Sequence, residues 1–126
     1  ANTVKNVWKM MLSMDHPPPD KDGTINAFVE LAQTFINRGG NIILVRCPSD
    51  GVFLGMDKHG FPRDQFWDPL VKKSGAKGYH YLDYEQFHNL FLPEWSHLAY
   101  KDAQFFTKEL IKIMKSDGVI PNFKTN

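Results

Sequence analysis

The sequence predicts an α/β layer fold with a parallel sheet. Three observations carry that expectation. The run Asn41-Ile42-Ile43-Leu44-Val45-Arg46 is continuous and rich in β-branched residues, the pattern of a parallel strand buried on both faces. The run Gly78-Tyr79-His80-Tyr81-Leu82-Asp83 reads as a second, shorter strand. Helical apolar periodicity stands before, between and after them, giving the order helix, helix, strand, helix, strand, helix. Two strands are fewer than the about 4 to 6 of an ordinary sheet. The sequence therefore holds either further, weaker strands or only the C-terminal part of a larger domain.

The first helix is expected over residues 3–14, where Val4, Val7, Trp8, Met11 and Leu12 recur at helical spacing as a core stripe or a partner face. Residues 15–23 hold three consecutive prolines, which neither a helix nor a central strand accepts, so they read as a stiff loop. Thr24 or Asp22 can cap the next helix, whose face is Ile25, Phe28, Val29, Ala32, Phe35 and Ile36. Gly39-Gly40 ends it and the first strand follows. Cys47-Pro48-Ser49-Asp50-Gly51 is the loop at that strand's C-terminal end. Open α/β sheets bind ligands at this edge, so Arg46, Ser49 and Asp50 are candidate substrate contacts, although the same residues also make an ordinary polar turn.

Residues 52–60 read as a less regular excursion over the surface. Phe61-Pro62-Arg63-Asp64 opens a third helix with Phe66, Trp67, Leu70 and Val71 inside, where Pro69 either kinks the helix or displaces its start. Asp83 closes the second strand as a turn cap or a site carboxylate, and residues 86–91 form an apolar loop or short turn. Residues 100–115 are a strong helix with Ala103, Phe106, Leu110, Ile113 and Met114 on one face. Gly118 and Pro121 stop it, and the tail to Asn126 reads as polar and loose.

Between the second strand and the last helix lies Leu92-Pro93-Glu94-Trp95-Ser96-His97-Leu98. A carboxylate three residues before an imidazole can reach back to its Nδ1–H. That bond fixes the tautomer and leaves Nε2 free as a general base, which then needs a nucleophile from elsewhere in the fold. The same spacing also arises from a capping or surface histidine.

The chain has 126 residues, enough for one domain, and is 42% hydrophobic and 13% aromatic, enough for a core. Its 15 basic and 14 acidic residues give a net charge of +1 with no charge block, so nothing points to nucleic acid or an anionic membrane surface. The single cysteine, Cys47, excludes an internal disulfide framework and a cysteine-rich zinc site. No apolar run approaches the ~20 residues of a membrane span. Ala1-Asn2-Thr3-Val4-Lys5 does not read as a signal peptide, though a processed or truncated chain would begin in the same way.

From Ile25 to Met114 these motifs resemble the C-terminal half of an SGNH (GDSL-like) hydrolase. The resemblance implies a partial flavodoxin-like fold: a three-layer parallel sheet with helices on both faces, ending in an Asp-x-x-His motif and a closing helix. Pro93-Glu94-Trp95-Ser96-His97-Leu98 occupies the place of that motif. His97 matches the catalytic base, and Glu94 matches the acid that orients it, with Glu where the family has Asp. The family's nucleophilic serine lies in a Gly-Asp-Ser block after its first strand, and no such block occurs here; Ser13 and Ser96 do not match it. The resemblance therefore implies the C-terminal part of a serine esterase or acyltransferase, inactive without a serine-bearing N-terminal part. No metal or organic cofactor is required. The closest branch is the cell-envelope one acting in acyl or acetyl transfer on polysaccharides. That branch implies an ester or acylated-glycan substrate and a cell-envelope or periplasmic location. The sheet would be covered by the missing N-terminal half or by a second copy.

The sequence leaves three other readings open. A non-catalytic α/β module would bind a glycan or a protein through Trp95, Tyr81 and Arg46. A hydrolase could use Cys47 with His97. A metal site could draw on His59, His80, His88 and His97, although no pair has zinc-ligand spacing.

Overall fold

The computed structural model of the chain describes residues 1–122. It is α/β, with five helices and a two-stranded parallel sheet. Helix α1 spans Asn2–Leu12 and helix α2 Lys21–Asn37; strand β1 is Ile43–Arg46. Helices α3 (Gly51–His59) and α4 (Trp67–Ser74) lead to strand β2 (Lys77–His80). Two single 3-10 turns, Tyr81–Asp83 and Glu85–Phe87, precede helix α5, Tyr100–Ser116.

The strands pair in register Ile43↔Lys77, Leu44↔Gly78, Val45↔Tyr79 and Arg46↔His80. Side chains alternate along a strand, so this register sorts them. Val45 and Tyr79 share one face; Arg46 and His80 share the other. Tyr79 enters the main core with Tyr81, Phe87, Phe106, Leu110 and Met114. The rings of Phe87 and Phe106 lie 4.7 Å apart. Each such side chain stabilises the fold by about 1.5–3 kcal/mol through removal of its apolar surface from water. On the opposite face α4 packs close to the backbone of β2. A Cβ at Gly78 would stand 2.7 Å from Val71 Cγ2, so only glycine lets α4 approach so near. Trp67 sets its ring edge-on to His80 at 5.4 Å.

Several expectations are corrected. The stripe of α1 is not core: no residue of this helix is buried, and Val4, Val7 and Met11 are exposed. Only Trp8 and Leu12 of that stripe are half-buried. The cap of α2 is Asp20, whose carboxylate accepts from Gly23 N–H at 3.0 Å, so the helix begins inside the stretch read as loop. Residues 51–59 form a helix rather than an irregular excursion, because Asp50 accepts from Gly51 N–H and caps it. The helix read from Phe61 starts instead at Trp67, which places Pro69 in the first turn, where a missing N–H breaks no bond. The second strand ends at His80, and residues 81–83 turn away as a 3-10 turn. Val119 and Ile120, expected in the loose tail, pack against the core. Residues 123–126 of that tail lie outside the described residues. Among the described residues no helix is long and apolar enough to cross a membrane.

Candidate active site

The loop between β2 and α5 draws Glu94 and His97 together. His97 Nδ1 lies 2.8 Å from Glu94 Oε1, and the backbone N–H of His97 donates to the same oxygen at 2.7 Å. Glu94 Oε2 accepts from the Ser96 hydroxyl at 2.6 Å and from the Trp8 indole N–H at 2.8 Å. One carboxylate thus receives four bonds, two on each oxygen. The Ser96 hydroxyl proton is directed to Glu94, which leaves an oxygen lone pair facing Nδ1 at 2.8 Å. The Nδ1 proton is therefore shared between Glu94 and Ser96. This arrangement selects the tautomer in which Nε2 is bare.

The two members of the pair differ in exposure. The Glu94 side chain is 13% exposed and that of His97 81%. Burial of Glu94 pushes its carboxyl up, but the bonds from Ser96, Trp8 and His97 outweigh it. They bring the carboxyl from 4.5 down to about 2. Glu94 is thus a fixed anion behind an imidazole that faces outward, and Nε2 can accept a proton from a hydroxyl brought to it.

The backbone of the loop is bent to make this possible. Trp95 has a φ of 76°, a left-handed conformation that costs about 1–3 kcal/mol in a bulky residue. Its carbonyl accepts from Asp50 N–H at 3.0 Å, and its own N–H donates to Leu92 O at 3.2 Å. Lys5 and Lys9 of α1 lie over its ring, 4.7 and 5.7 Å from the centroid. A Cβ at Gly51 would fall 2.6 Å from that ring. The strand-end loop after β1 and the Glu94–His97 loop therefore form one packed unit.

The other residues singled out in the sequence are held by local partners. Arg46 is paired with Asp57, and the Ser49 hydroxyl donates to the same Asp57 oxygen at 2.6 Å. Asp50 caps α3 and ties the chain to Trp95. Tyr81 is buried at 6% exposure. Cys47 is an exposed free thiol. Asp83 receives a two-pronged bond from Arg63, at 2.6 and 3.0 Å, which lowers its carboxyl below the usual range. Among the described residues no group of three or more His, Cys, Asp or Glu side chains gathers as a metal site would need.

Trp8 and Ser96, which hold the carboxylate, were not marked as site residues by the sequence. Ser96 lies inside the motif and could have been suspected as a local donor to Glu94. Trp8 could not, because its bond crosses 86 positions. No protein-family model, curated protein or solved structure matches the chain.

Proposed function

We propose that this chain supplies the base and its orienting acid to a serine esterase or acyl-transfer hydrolase of the SGNH type. The observation that carries the reading is the fixed Glu94–His97 pair, 2.8 Å apart, with the imidazole facing outward. In the reaction His97 Nε2 takes the proton of a serine hydroxyl as that oxygen attacks an ester carbonyl. Nε2 then returns the proton to the leaving alkoxide. Glu94 stabilises the imidazolium formed in between and remains ionised throughout. None of these steps requires a metal or an organic cofactor.

The serine belongs to a segment outside these residues. Among the described residues β1 has one strand neighbour, and Val45 on it is 38% exposed, as a position awaiting further sheet would be. Phe35 and Leu31 of α2 are also exposed, at 52% and 72%. Added strands would complete a flavodoxin-like sheet and bring a nucleophile to the C-terminal edge. An acylated glycan is the substrate class that the family resemblance favours.

The test begins with the coding sequence upstream of Ala1. A strand ending in Gly-Asp-Ser is expected there. The whole gene product should react with a fluorophosphonate serine probe and hydrolyse p-nitrophenyl acetate. His97→Ala should lower turnover by about 10⁶-fold, as removal of a triad base does. An upstream region without such a serine, or a His97→Ala enzyme of undiminished activity, defeats the reading.

A further inference from the structure

A second concave site lies away from the Glu94–His97 pair. It is a cavity of about 480 Å³ between α2, α3, α4 and the C-terminal ends of the strands. That size lies within the about 300–1,000 Å³ of small-molecule sites. Neither Glu94 nor His97 lines it. We propose that this cavity binds an amphipathic monocarboxylate with a medium-length alkyl chain, a ligand of the fatty-acid class.

The wall defines the body of the ligand. Phe28, Leu54, Phe66, Trp67 and Leu70 face the cavity from three helices and the turn before α4. His80, also on the wall, has its imidazole pushed below the usual range by burial first and then by the nearby positive charge of Arg63. Such a surface offers an alkyl chain dispersion contacts and few polar groups that the chain would leave unsatisfied.

The charged part of the lining defines the head. Lys21, Arg46, Lys58 and Arg63 supply four cations, against the two carboxylates of Asp20 and Asp57. Both carboxylates are already engaged, Asp20 with Gly23 N–H and Asp57 with Arg46 and Ser49. Arg63 is shared between Asp68 and Asp83. Among the described residues Lys21 and Lys58 have no carboxylate within 4.0 Å. Two ammonium groups without a carboxylate partner, that of Lys21 lying 5.9 Å over the Phe66 ring of the wall, suit one carboxylate and its tail. They select against a cationic amphiphile.

The experiment is a calorimetric and NMR titration of the 126-residue chain with decanoate, below its micelle concentration. Acetate and decyltrimethylammonium serve as controls. Saturable one-to-one binding of decanoate is expected, with amide shifts centred on Phe28, Leu54 and Trp67. Acetate should give none, and the cation should bind at least tenfold more weakly. The double variant Lys21→Ala/Lys58→Ala should weaken decanoate about tenfold and leave the far-ultraviolet circular dichroism unchanged. Absence of saturable binding to the wild-type chain overturns the proposal. So do shifts centred elsewhere, equal binding of the cation, or a double variant that folds and binds decanoate as the wild type does.

Discussion

Trp8 and Glu94 are joined by a hydrogen bond, indole N–H to Oε2 at 2.8 Å, across 86 positions of sequence. With the Lys5 and Lys9 contacts to the Trp95 ring, it anchors α1, a helix without a buried residue, to the loop carrying the candidate base. The Trp8 ring also meets Phe53 of α3 edge-on at 5.3 Å. Trp8→Phe keeps an aromatic ring against Phe53 and removes only the donor. A hydrogen bond to a charged acceptor contributes about 1.5–3 kcal/mol, and this half-exposed one belongs at the lower end. The variant should therefore lose about 1.5 kcal/mol in urea unfolding. Its Glu94 carboxyl should titrate at a higher pH in side-chain carbon NMR. An unchanged titration would mean that the indole does not hold the carboxylate in solution.

The depressed carboxyl of Glu94 makes stability depend on pH in a defined window. Above pH 4.5 the acid is ionised in both folded and unfolded chains, and its contribution is complete. Between 4.5 and about 2 the unfolded chain takes up a proton that the folded chain refuses, so stability falls as the pH falls. In Glu94→Gln this part of the dependence is absent. The stability gap between wild type and variant should therefore narrow steadily from pH 4.5 to 2. Denaturant midpoints at four or five pH values measure it. A gap constant with pH would show that Glu94 is not held as an anion by its four donors.

The tautomer of His97 is a third observable. A neutral imidazole with Nδ1–H directed at Glu94 and Ser96 must be bare at Nε2. Long-range proton–nitrogen spectra at alkaline pH should show a protonated Nδ1 and an unprotonated Nε2. Removing both acceptors, in Glu94→Ala/Ser96→Ala, should return the ring to the mixture dominated by Nε2–H that free histidine shows. Loss of the bare Nε2 would remove the base without touching the imidazole itself. A wild-type ring already protonated at Nε2 would contradict the geometry of the loop.

The parts of this molecule legible in its sequence are those decided by local patterns. The stripe Phe106, Leu110, Met114 repeats at helical spacing and is buried in α5. The β-branched run at Ile43 forms a parallel strand, but the burial on both faces read from it is not found: among the described residues it has one strand neighbour and none of its residues is buried. The spacing of Glu94 and His97 places an acid within reach of an imidazole because a three-residue loop is short. Helix α3 was hidden because Gly55, His59 and Gly60 read as a surface excursion, while its start depends on Asp50 and a backbone tied to Trp95. The exposure of α1 was hidden for the opposite reason. Its periodicity is real, but periodicity states that a face exists and not what covers it. The bonds from Trp8 to Glu94 and from Arg46 to Asp57 depend on how a helix meets a distant loop or strand, which no local pattern records.

The contact of Gly51 with Trp95 joins the two loops at the strand-end edge, and it can be tested at a single atom. Gly51 has a φ of 51°, and the Cβ of an alanine there would lie 2.6 Å from Cδ1 of the Trp95 ring. Two penalties follow from one methyl group. The left-handed conformation costs about 1 kcal/mol in alanine, and the ring must move or the turn must open. Trp95 cannot move freely, because its carbonyl holds Asp50 N–H and its φ of 76° fixes the direction of the chain into His97. Gly51→Ala should therefore destabilise the protein by about 2–3 kcal/mol, the overpacking range. It should also quench or shift Trp95 fluorescence and blur the Nδ1 signal of His97. Gly55→Ala, in the same helix with open space around its Cβ, should be neutral or slightly stabilising. If the two alanine variants behave alike, the loops are not coupled through this contact. If only Gly51→Ala disturbs His97, the strand-end turn helps to set the position of the candidate base.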